Sequence, residues 1–118
     1  MCQITENTVV IQTKDLKDFS DFIMEEMDER YSDTVIAAYQ NNDMVIFTFD
    51  YNGVFLELAD KFNWLMLETN WLDAELLWTQ VREDGKIVET DMCIADLLEK
   101  KLNKTEYAEA KEAIAYSL

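Results

Sequence analysis

Apolar residues recur along this chain with two different periods, and the switches between them delimit its elements. Thr8 to Gln12 reads Thr-Val-Val-Ile-Gln, a β-branched run that fits a strand. From Asp15 to Arg30 the residues Leu16, Phe19, Ile23 and Met27 recur at spacings of three and four, which predicts one apolar stripe on a helix of about four turns. Thr34 to Tyr39 and Met44 to Phe49 are β-rich apolar runs, and the polar turn formers Gln40-Asn41-Asn42-Asp43 between them predict a hairpin. After the break at Asp50-Tyr51-Asn52-Gly53, helical spacing returns in Phe55, Leu58, Ala59, Phe62, Leu65 and Met66, predicting a second helix that ends near Glu68.

Two readings compete over residues 70–82. Asn70 followed by Asp73 resembles a capping signal that opens a helix. Against it, Leu76 to Glu83 and Lys86 to Thr90 flank Asp84-Gly85, a strong two-residue hairpin signal, and the hairpin is the favoured reading. The C-terminal portion carries two helical stripes, Ile94, Leu97, Leu98 and Leu102, then Tyr107, Ala110 and Ile114, joined through Asn103 to Thr105. The predicted order is strand, helix, hairpin, helix, hairpin, helix, helix. It implies an α+β fold: a single domain over residues 1–118, an antiparallel sheet of hairpins with helices on one face, and two C-terminal helices.

Composition sharpens this picture mainly by exclusion. The 118 residues hold 25 acidic and 10 basic side chains, a formal charge of −15, so the chain repels phosphate backbones and direct nucleic-acid binding is not expected. The same charge argues against an anionic membrane surface, and no apolar run is long enough to span a bilayer. Met1 to Glu6 has neither a basic segment nor a following apolar stretch, so a cytoplasmic location is expected. Cys2 and Cys93 stand far apart with no histidine in the chain, which fits reduced, structural thiols better than a disulfide or a zinc site.

Little in the sequence points to catalysis. The chain has no histidine, the side chain most used for acid-base work near neutral pH, and Gly53 and Gly85 are isolated turn residues with no phosphate-binding pattern around them. Asp50-Tyr51-Asn52-Gly53 superficially resembles the start of a calcium loop, but the glycine comes two positions early and the twelfth position is Lys61, not glutamate. No cofactor and no metal site are expected. A carboxylate-metal enzyme is the less favoured alternative.

The charge has a location. Residues 1–50 carry 11 acids against 3 bases, whereas residues 91–118 carry 6 against 4. In the first predicted helix Asp18, Asp21, Glu25, Asp28 and Glu29 fall opposite Leu16, Ile23 and Met27, forming a carboxylate ridge relieved only by Lys17 and Arg30. Charged faces are ordinary on surface helices, but a net −15 exceeds the magnitude of about 2–8 that keeps a small domain soluble. In size and composition the chain is similar to phage-encoded DNA mimics and anti-CRISPR proteins, a resemblance of bulk properties that no motif carries. The expected role is a small acidic, non-catalytic inhibitor that occupies the basic, nucleic-acid-binding site of a partner protein. An immunity protein or antitoxin that neutralises a cognate nuclease toxin is the alternative within the same electrostatics. Trp64, Trp71 and Trp78 recur every seven residues and are expected to be core residues of separate elements, or, where exposed, interface anchors.

Overall fold

The structure is a computed structural model that describes residues 4–27, 29–53, 55, 58, 61–71, 76–83, 86–90 and 93–117. Strand β1 (Ile4–Gln12) runs through a 3-10 turn at Thr13–Asp15 into helix α1 (Leu16–Glu26), followed by the short helix α2 (Glu29–Ser32). Strands β2 (Ile36–Gln40) and β3 (Met44–Asn52) form the first hairpin; β4 (Met66–Trp71), β5 (Leu76–Glu83) and β6 (Lys86–Thr90) follow, then α3 (Ile94–Glu99) and α4 (Lys104–Ser117). All six strands join one antiparallel sheet in the order β2-β3-β1-β4-β5-β6. The α+β class and the two C-terminal helices expected from the sequence are what the structure shows.

The helices do not share one face, and here the expectation is corrected. Val9, Ile11, Val45, Phe47, Phe49 and Leu67 pack with Phe19, Phe22 and Ile23 of α1, while Val10, Met44, Ile46 and Met66 pack with Ile94, Leu98 and Ala110 of α3 and α4. Side chains alternate across a strand, so consecutive apolar residues such as Val9-Val10-Ile11, each 0% exposed, fill a core on both faces of the sheet.

A second correction concerns residues 55–68. Among the described residues, 53–65 contain no α-helix and the end of the predicted helix is strand β4 (Met66–Trp71), while 54, 56, 57, 59 and 60 lie outside the described residues. Phe55, in a 3-10 conformation, and Phe62 are buried in the core beneath α1. Their rings lie 4.8 Å from Phe49 and 4.7 Å from Phe22, respectively, and Phe62 is 5.0 Å from Phe19. Gly53 opens this segment at φ +113°, a backbone state that an L side chain occupies only under strain, and its carbonyl accepts a 3.1 Å hydrogen bond from the Thr5 hydroxyl.

Residues 76–90 resolve the competing readings as strands. β5 and β6 pair from Thr79 opposite Thr90 to Glu83 opposite Lys86, the register a two-residue loop imposes, while Asp84 and Gly85 lie outside the described residues. Trp64 is buried in the α1-side core, and Trp71 and Trp78 stand on adjacent strands, so no single helix aligns the three.

Polar anchors fix the helices over the sheet. The Glu68 carboxylate of β4 accepts the Ile94 N–H at 2.8 Å, supplying at the start of α3 the cap that Cys93 does not provide. Asn103 and Glu106 form a reciprocal capping box at α4, and the second Glu106 oxygen takes the Asn41 amide at 3.2 Å, tying the β2–β3 turn to that helix. Inside the sheet, Thr69 donates to Asn7 at 2.8 Å and the Asn7 amide donates to Thr5 at 3.0 Å, so these buried polar groups satisfy one another.

Candidate partner-binding surface

Helix α1 is held by one face and charged on the other. Phe19, Phe22 and Ile23 are 1–6% exposed and carry the packing, whereas Asp18, Asp21, Glu25 and Glu26 are exposed. Spacings of three and four place Asp18, Asp21 and Glu25 in a single row, over about 10 Å of helix at 1.5 Å per residue. Lys17 pairs with Asp21 at 3.4 Å in an exposed contact of little energetic weight. Among the described residues Asp18 and Glu25 have no cationic partner.

The row is one wall of a groove. Residues 61–63 run alongside α1, and Asp18, Asp21, Glu25, Glu26, Lys61 and Asn63 enclose, over Phe22 and Phe62, an open cavity of about 380 Å³. Lys61 reaches across to Glu26 at 2.9 Å, fastening this segment to the last turn of the helix. The mouth is therefore predominantly anionic and its floor aromatic. Residues 61–63, expected to lie within a second helix, were not anticipated here; no local signal at Lys61 or Asn63 marks their approach to α1.

The ridge is shorter than its sequence implied. The helix ends at Met27, whose backbone turns extended (φ −101°, ψ 139°) while its side chain stays buried at 6% exposure, and the row ends there. Asp28 lies outside the described residues. Glu29 is exposed but begins α2 and does not line the groove. Of the five predicted positions, Asp18, Asp21 and Glu25 stand together, with Glu26 added beside them.

Other chemistry is sparse. Among the described residues no group of three His, Cys, Asp or Glu side chains is placed to hold a metal ion, and no helix is long and apolar enough to cross a membrane. Burial, reinforced by the carboxylates of Asp96 and Glu68, pushes the Cys93 thiol above its ordinary range, the opposite of what a reactive thiolate needs. No protein family, curated protein or solved structure matches this chain.

Proposed function

We propose that this protein is a non-catalytic inhibitor that presents α1 to a basic, nucleic-acid-binding site on a partner protein and holds that site against nucleic acid. The observation that carries the reading is the exposed row Asp18, Asp21 and Glu25 on a helix whose opposite side is locked into an aromatic core. Three carboxylates over about 10 Å approach, within a factor of two, the charge density of a nucleic-acid strand, which rises about 3.4 Å per phosphate. A buttressed helix presents these charges without the ordering cost of a flexible acidic tail, and opposite charge steers the encounter.

Capture from host lysate at low and moderate salt, followed by competition with duplex DNA, tests the reading. The expected result is a nucleic-acid enzyme that DNA displaces, with an association that weakens steeply as salt rises and is lost in the triple variant Asp18→Asn, Asp21→Asn, Glu25→Gln. A partner held equally well by that variant, or insensitive to salt, would falsify the assignment of the ridge as the contact.

A further inference from the structure

The sheet has two edges, and they are treated differently. At β2, α4 packs against the strand from one face of the sheet and is fastened to the β2–β3 turn through Asn41 and Glu106, although Ile36 stays 54% exposed. At the other edge β6 packs along β5 and has no comparable contact with any other described element. Residues 86–89 are all exposed, with Ile87 at 45% and Val88 at 40%.

The register of the hairpin states which backbone groups are open. Glu83 and Lys86 flank a two-residue loop and form a hydrogen-bonded pair, so the alternation of an antiparallel ladder makes Val81 with Val88 and Thr79 with Thr90 hydrogen-bonded as well. Ile87 and Glu89 then direct their N–H and C=O groups outward. Among the described residues this ladder has no partner strand, and two exposed apolar side chains border it, the configuration that invites strand addition.

We propose that β6 docks against β6 of a second copy of this chain, joining two sheets across a two-fold axis. Three symmetric registers bring outward-facing groups together. Pairing Glu89 with Glu89 sets like charges opposite each other, and pairing Ile87 with Ile87 leaves Glu89 beyond the partner's strand. Centring on Val88 pairs all five residues of the strand: Val88 meets Val88, Ile87 meets Glu89, and Lys86 meets Thr90. No like charges face each other in that register.

Charge also selects the occupant. β6 holds one lysine and one glutamate and is itself neutral within a chain of −15, so a basic partner strand finds no excess charge on it and the β6 of a second copy brings none to it. The strand is three positions from β1, over which α1 packs, about 14 Å at the usual spacing of about 4.8 Å. That exceeds the Debye length of about 8 Å at physiological salt, so the ridges are largely screened from each other there. A five-residue edge is small beside a standard interface, so the dimer is concentration-dependent.

Sedimentation velocity on the full chain, across a range of concentration and salt, tests this inference independently of the ridge. The expected result is reversible dimerisation that tightens as salt rises, the reverse of the ridge contact. Ile87→Pro removes an outward N–H from each copy and leaves the β5 pairing intact; with about 1 kcal/mol net per hydrogen bond, dissociation rises roughly thirtyfold. Val88→Lys and Val88→Glu are each monomeric, and their mixture dimerises, with circular dichroism verifying that every variant is folded. A chain that stays monomeric at all concentrations, including one whose edge is filled by another protein's strand, overturns the proposal. So does dimerisation unchanged in Ile87→Pro, and a mixture that fails to pair overturns the Val88-centred register.

Discussion

Glu25 occupies the last turn of α1, where the carbonyl end of the helix carries partial negative charge, and Asp21 stands four residues before it. Its carboxylate therefore faces two unfavourable neighbours and has no cationic partner among the described residues. Replacing it with glutamine keeps the shape and the helix propensity. The dipole contribution is about 0.3–1 kcal/mol at low ionic strength and the like-charge pair about 0.2–0.5 kcal/mol; with discounting for exposure, Glu25→Gln should stabilise the fold by about 0.5–1 kcal/mol. For a domain of this size that raises Tm by roughly 2–5 °C. The same logic gives different results one and two turns earlier. Asp21→Asn relieves repulsion from both sides but loses the 3.4 Å Lys17 pair and should be near neutral. Asp18→Asn removes a carboxylate from the favourable first turn and should be neutral to slightly destabilising. Urea and thermal denaturation at low salt and at about 1 M salt measure the series, and the Glu25 gain should collapse at high salt, where the Debye length is about 3 Å. If Glu25→Gln is no more stable than the native chain at low salt, or if its gain survives high salt, the electrostatic account of the ridge is wrong. If the gain is real and partner binding falls, the ridge is held at the expense of stability, as a functional surface would be.

Three further outcomes follow from the packing. Phe19→Ala empties a site bounded by Phe47 at 4.7 Å and Phe62 at 5.0 Å and should cost about 3–5 kcal/mol in chemical denaturation, weakening any ridge-dependent binding through loss of α1 docking. Glu68→Ala leaves the Ile94 N–H without its 2.8 Å acceptor and should cost about 1 kcal/mol, read as a lower urea midpoint with an unchanged m-value. Cys93, its thiol held above the ordinary range chiefly by burial, should be alkylated by iodoacetamide more slowly than a free thiol near pH 9, and at the free-thiol rate once the chain is unfolded; equal rates in the folded chain would remove that shift.

Much of the fold was legible because its signals are local. The stripe of α1, the Asn41-Asn42-Asp43 turn, the hairpin around residues 84–85 and the C-terminal helices each depend on residues within a few positions of one another. Residues 55–68 misled for a definite reason. Phe55, Leu58, Phe62, Leu65 and Met66 have helical spacing, yet Phe55 and Phe62 are set by the cavity they fill under α1, and Met66-Leu67 is a strand buried on both sides. A doubly buried strand reads as a continuous apolar run, which periodicity does not separate from a buried helix segment. The same property hid the second helical layer, although Val9-Val10-Ile11 and Val45-Ile46-Phe47 carried its trace.

The sequence by itself determined the α+β class, the sign and size of the charge, and the place of Asp18, Asp21 and Glu25 on one side of a helix, since each follows from composition or from helical geometry over short range. Only the tertiary structure decided where that row ends, what it faces and which sheet edge stays open. The row stops where the backbone turns extended at Met27, Lys61 to Asn63 close the groove from some forty residues away, and among the described residues β6 has no contact comparable to its pairing with β5. Those outcomes depend on contacts between distant segments, and no local pattern encodes them.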